Sequence, residues 1–185
     1  MPAKVISCGI LRPELEYLLQ GRNVEMEYLD AALHVDFDRL SAALTGALKN
    51  SAGDNPVLVI GTDCHPDMAG MTAAYGGRLV RARNCIEMLL GPRMAELDAR
   101  SRTFYLTGGW LENWRNIFVD GLHWDNIDAR QNFGRYDRIL LLDTGLARID
   151  EAQILEFFDY TRVPVEILPT GLDHLRQLLA DSCRY

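Results

Sequence analysis

The run Val57-Leu-Val-Ile60 halts at Gly61 and passes at once into Thr62-Asp-Cys-His-Pro-Asp67. A short apolar run rich in β-branched residues and closed by glycine is the pattern of a parallel strand buried on both faces. Residues just beyond such a strand lie at the carboxyl edge of the sheet, where open α/β proteins receive their ligands. Four groups able to hold a metal or move a proton, Asp63, Cys64, His65 and Asp67, are therefore expected at that edge.

The rest of the chain repeats the alternation. Strands are expected at Lys4 to Cys8, Val24 to Leu29, Leu79 to Arg81, Thr103 to Thr107, Arg138 to Asp143 and Val165 to Leu168. Helical spacing fills the gaps between them. Pro13 suits a first helical turn, and Glu14 and Glu16 stand near its positive end. Asp36, Asn84 and Asp150 are placed as N-caps, with Glu87 three residues after Asn84 as in a capping box. Phe37, Leu40, Leu44 and Leu48 recur along one helical face. The segment from Met68 to Gly77 reads as a loop, and Trp110 to Asn132 as helix, loop and helix. Strand–helix alternation of this kind predicts an α/β fold: a single domain over residues 1–185, with a mainly parallel sheet covered by helices on both faces.

Composition narrows the function classes. At 185 residues and 48% hydrophobic content the chain has material for a sizeable core. Its formal charge of −7, from 19 basic and 26 acidic residues, argues against nucleic acid as the main partner. No apolar run approaches the ~20 residues of a membrane span, and the start of the chain lacks the apolar core of a signal peptide. A cytoplasmic location is expected, where thiols stay reduced. The four cysteines are then metal-binding, reactive or inert rather than disulfide-bonded.

Three of them, Cys8, Cys64 and Cys85, follow predicted strands, and Cys8 and Cys85 stand at helix starts, a position that lowers a thiol pKa. If the three strands are neighbours, the sulfurs face one cleft. Three thiolates with a fourth position open suit zinc, or an iron–sulfur cluster with one exchangeable iron. The competing reading is that cysteine is simply a common core residue, and no C-x-x-C pair is present. Cys183 stands apart near the end of the chain. His65, next to Cys64, is the candidate acid/base or auxiliary ligand, with Asp63 and Asp67 as its supports; loop aspartates also cap turns. His34, His123 and His174 lack such company, and His174 is expected on the surface. Arg12 and Arg83 are candidates to bind a carboxylate or phosphate of a substrate, against ion pairs with Glu14, Glu16 or Glu87. No P-loop, dinucleotide-binding glycine pattern or nucleophile elbow is present.

The segments Cys8-Gly-Ile-Leu-Arg-Pro-Glu-Leu15, Arg81-Ala-Arg-Asn-Cys-Ile86 with Leu89-Leu-Gly91, and Tyr105-Leu-Thr-Gly-Gly-Trp110 together resemble domain-of-unknown-function family 1638. Two places depart from the family pattern. Gly61-Thr62-Asp63-Cys64-His65 stands where the family reads glycine-leucine-cysteine-glycine, and Arg83-Asn84 stands in place of histidine-aspartate. The resemblance implies a three-cysteine site at Cys8, Cys64 and Cys85 and a link to corrinoid methyl-transfer systems, with no established reaction. Two functions are therefore expected to compete. One is a metal-dependent enzyme, a transferase or lyase acting on a small molecule at a zinc or iron–sulfur centre. The other is a non-catalytic accessory or metal-delivery protein that binds a corrinoid or methyltransferase partner.

Overall fold

The computed structural model describes residues 2–183. Strands β1 (Ala3–Cys8), β2 (Val24–Leu29), β3 (Val57–Val59) and β4 (Arg78–Leu79) form one sheet in the order β2-β1-β3-β4. Strands β5 (Thr103–Thr107), β6 (Arg138–Asp143) and β7 (Val165–Pro169) form a second, in the order β5-β6-β7. All pairings are parallel. The expected α/β architecture is present, divided between two sheets rather than gathered into one. β4 is two residues long and offers no ladder on which a further strand could extend the first sheet.

The first sheet is buried on both faces, and the alternation along its central strands shows how. Val5, Val57 and Val59 point into one cluster of buried side chains. Ile6, Leu58 and Ile60 point into another, closed by Leu40, Leu44 and Leu48 of helix α2 (Phe37–Asn50) and by Met68 of helix α3 (Met68–Ala74). This is why β3 reads as a continuous apolar run. The cluster around Val5 also holds Leu106 of β5 and Ile139 and Leu141 of β6, so the two sheets share a core.

Caps set the helix boundaries. The Asp36 carboxylate accepts from Arg39 N–H and starts α2. The Asn84 side chain accepts from Glu87 N–H and starts α4 (Cys85–Leu90). The Glu87 carboxylate reaches back one residue further than a capping box requires, to the Arg83 N–H. Helices α1 (Arg12–Leu19), α5 (Arg93–Asp98), α6 (Gly108–Trp114), α7 (Asn126–Phe133), α8 (Glu151–Thr161) and α9 (Asp173–Ser182) complete the set among the described residues. A π-helical turn, Arg115–Gly121, continues α6.

Three expectations are corrected here. Met68–Ala74 is helix rather than loop, held by burial of Met68 and Thr72 against the sheet. Phe37 is exposed instead of joining the buried face of Leu40, Leu44 and Leu48, and its ring edge meets His65 at 5.8 Å. His174 is half-buried: its ring lies where a Cβ on Gly91 would sit, at the turn that ends α4.

β7 has no strand on its outer side among the described residues, and Ile167 on it is 51% exposed.

Candidate functional site

Strand order places the three thiols. β1, β3 and β4 are neighbours, so the segments leaving their carboxyl ends run side by side. Cys8 ends β1, Cys64 closes a 3-10 turn (Thr62–Cys64) just past β3, and Cys85 opens α4 just past β4. Two backbone hydrogen bonds stitch the second and third segments together. Thr62 N–H donates to the Ala82 carbonyl at 3.0 Å, and Asp63 N–H to the Arg83 carbonyl at 2.9 Å. That approach requires Gly61, where a Cβ would lie 2.1 Å from the Arg83 carbonyl oxygen. At the first segment the buried Ser7 hydroxyl lies within hydrogen-bond distance of the Val59 carbonyl and so ties the ends of β1 and β3.

The second sheet contributes from the opposite side. Thr107 caps α6 through the Trp110 N–H. Gly109 lets the start of that helix press on the turn after Cys8, since a Cβ there would meet the Ile10 carbonyl at 2.2 Å. Trp110 thereby comes to the same edge, with its side chain beside Cys85. The 3-10 turn Ala31–Val35, past β2, adds His34 at the same edge of the first sheet. His34 Nε2 stands 3.9 Å from Cys64 Sγ, and the ring edge packs on Trp110 with centroids 5.2 Å apart.

Burial sets the electrostatics of the three thiols. Burial pushes the Cys8 thiol up to about 11, and nearby Cys64 and Asp30 add to the rise. Burial pushes Cys85 up to about 12, against the neighbouring Trp110 side chain and with Cys8 and Cys64 adding to it. Cys64 is raised by burial and by the Asp63 charge. The expected lowering by helix starts is therefore outweighed: desolvation disfavours a thiolate more than the few free N–H groups of a short helix favour it. Burial lowers the pKa of His34, leaving a neutral imidazole with a lone pair to offer.

Three soft sulfur donors and one imidazole suit zinc or an iron–sulfur cluster in kind. One pair is also suitably spaced. Two ligands on a tetrahedral zinc with bonds of about 2.3 Å to sulfur and about 2.0 Å to nitrogen stand roughly 3.5 Å apart, close to the 3.9 Å between Cys64 and His34. Among the described residues, however, no three of these groups already stand at the mutual distances of a metal-holding set. Loading would require Cys8 and Cys85 to turn toward the Cys64–His34 pair.

The remaining candidates lie beside this cluster in other arrangements. His65 turns toward α2, its Nε2 3.1 Å from the Ser41 hydroxyl and its Nδ1 accepting from Asp67 N–H. Asp63 is exposed and accepts from the Thr62 hydroxyl. Arg12 pairs with Glu16 at 3.4 Å and lies over the Tyr28 ring, and Arg83 pairs with Glu87 at 3.2 Å. Cys183 is buried in the core that the two sheets share.

Sequence reasoning set His34 aside for want of neighbouring ligands, read Glu14 only as a helix-start charge, and gave Trp110 no tie to the thiols. His34 lies five residues past β2, at the same edge as the thiols, and that position is the signal for it. Trp110 carried a signal in the Thr-Gly-Gly-Trp turn. Glu14 is 2% exposed: its Oε1 accepts from the Thr144 hydroxyl at 2.7 Å, and its Oε2 has no hydrogen-bond partner among the described residues. Burial raises its carboxyl pKa.

No curated protein and no solved structure matches the chain. A family model described as a protein of unknown function, DUF1638, matches residues 28–179. That stretch includes His34, Cys64, Cys85 and Trp110 and begins after Cys8. With most of its length matched, the chain belongs to the DUF1638 family.

Proposed function

We propose that the chain is a metal-dependent enzyme in which Cys8, Cys64 and Cys85 hold a zinc ion or an iron–sulfur cluster and a small molecule is bound beside it. The observation that carries this reading is that three thiols leave the carboxyl ends of three neighbouring strands at one edge of the first sheet. Three charged thiolates in so dry a place would repel one another, and a cation would offset that repulsion. The bound group would supply Lewis acidity of the kind used in transferase and lyase chemistry. Cys8 is the most exposed of the three thiols, so a small molecule would enter on its side. Arg12 and Arg83, which stand in the segments carrying Cys8 and Cys85, would have to exchange Glu16 and Glu87 for an anionic group of the substrate. His65 would need to leave Ser41 to act as an acid/base group, with Asp63 beside it.

Anaerobic purification followed by metal analysis and a visible spectrum tests the reading. About one zinc per chain, or iron with sulfide and a broad visible absorption, is the expected result. Metal-free protein that takes up neither on reconstitution overturns it.

A second reading, an accessory or metal-delivery protein for a corrinoid or methyltransferase partner, is favoured by one observation. An open groove along α6, α7 and α8 mixes apolar side chains, Trp114, Trp124 and the 64% exposed Ile127, with charged ones, Arg115, Arg130 and Glu156. Metal transfer from the loaded chain to such a partner, with no turnover of small molecules, would decide for it.

A further inference from the structure

We propose that Glu14 and Thr144 form a proton-operated latch across the seam between the two sheets, shut while the Glu14 carboxyl is neutral and loosened when it ionises. The inference stands apart from the metal reading and concerns how the edge carrying Cys8 and Trp110 is held. Three contacts close that seam. Gly109, at the start of α6, presses on the Ile10 carbonyl in the turn after Cys8. Gly108 presses on Ala147, in the loop between β6 and α8, so closely that a Cβ there would overlap the alanine's own. Thr144, in the same loop, donates its hydroxyl to Glu14 Oε1 at 2.7 Å, although the two residues lie 130 positions apart. The start of α1, the start of α6 and the loop after β6 thus bear on one another in a closed circuit. Two of its contacts are steric and indifferent to pH. The third is made by a group that titrates.

Glu14 is placed where its own charge is costly. It is 2% exposed, and its Oε2 has no hydrogen-bond partner among the described residues. Burial raises its carboxyl pKa, against the support of the Thr144 hydroxyl and of its own backbone N–H. The charged and titratable groups on the same elements are engaged elsewhere or face solvent. On α1, Arg12 pairs with Glu16 and lies over Tyr28. In the loop, Asp143 accepts from the Gly145 N–H, and Arg148 is exposed. On α6, Glu112 is exposed, and the Cys8 thiol stays neutral until the pH nears 11. An ionised Glu14 therefore leaves a charged oxygen dry, and parting α1 from the loop to admit water relieves it.

The direction follows from the raised pKa. The shut form binds the proton more tightly than open chain does. The latch is fully effective below the ordinary carboxyl value of about 4.5 and is lost as the pH rises through the raised one.

The test is hydrogen–deuterium exchange of the full chain at pH 4 and pH 8, read as protection factors corrected for intrinsic rates, in wild type, Glu14→Gln and Thr144→Val. Glutamine keeps the shape and the acceptor for Thr144 but cannot ionise. In wild type, protection of residues 9–16 and 144–149 is expected to fall at least ~10-fold from pH 4 to pH 8, with α2 changing far less. Glu14→Gln should keep the pH 4 protection of wild type at both pH values. Thr144→Val, which removes the bond in either state, should show low protection at both. Equal protection of wild type at the two pH values overturns the proposal, and wild type alone decides this point should a variant fail to fold. A Glu14→Gln variant that loses protection with pH as wild type does assigns the change to another group and overturns it. So does a Thr144→Val variant indistinguishable from wild type, or a loss spread evenly over all segments, which is global unfolding rather than a latch.

Discussion

Cys8 is the thiol on which solvent and core meet. It is partly exposed, while Cys64 and Cys85 are each 8% exposed. Burial nevertheless holds its pKa at about 11, above the ordinary thiol value. The sign follows: a raised pKa leaves Cys8 protonated at neutral and mildly basic pH, and the thiolate forms only as the pH climbs toward 11. In metal-free protein, alkylation of Cys8 by iodoacetamide is therefore expected to be slow at pH 8. Its rate should rise about tenfold per pH unit until the pH nears that value. Mass spectrometry of the peptide containing Cys8 measures this, and a rate that levels off near pH 8 would show a thiol already ionised. Charge at this residue is a property of the surroundings, which is why the helix-start argument from sequence gave the opposite direction.

At the scale of elements, the site depends on turns that touch. Gly61 is the narrowest of these contacts, with the Arg83 carbonyl where a Cβ would be. Gly61→Ala is expected to push the Thr62–Cys64 turn away from the segment before α4 and to cost about 1–3 kcal/mol, as overpacking does. Urea denaturation measures the loss, and a midpoint within error of wild type would mean that the two segments separate freely. The same elements show what could be read in advance. Asp36, Asn84 and Asp150 were legible as caps because a cap is settled within three residues of chain. The β1–β3–β4 neighbourhood was legible only as a condition, and the structure meets it. His34 was not legible, since its meeting with Cys64 depends on how the turn past β2 folds over the sheet edge, thirty residues away. α3 was missed because Gly70 and a run of small side chains hide its period.

The molecule as a whole places one core behind two sheets. Phe157 of α8 is fully buried, and its ring meets Trp114, Phe118, Phe133 and Tyr160. Phe157→Ala should cost about 3–5 kcal/mol through lost contacts and a residual cavity. Because the core is shared, unfolding is expected to remain one transition, with tryptophan fluorescence and far-ultraviolet circular dichroism falling together at a lower midpoint. Separate transitions for the two signals would show that the halves melt independently. Among the described residues no helix is long and apolar enough to cross a membrane. The two sheets were not foreseen as two, because strand–helix alternation looks the same whether a sheet continues or restarts.

The outer side of β7 carries a further consequence. Ile139 N–H donates to the Pro164 carbonyl and Thr170 N–H to the Asp143 carbonyl, so the even-numbered residues of this segment face β6. Val165, Ile167 and Pro169 then turn their backbone groups outward. An uncovered strand edge is a template on which other chains can polymerise, and the half-exposed Ile167 adds apolar surface to it. Pro169 has no N–H to give at one end of that template, and Glu166, paired with Arg138, sets charge beside its middle. The protein thus carries its own guard against aggregation at the strand where its sheet stops growing.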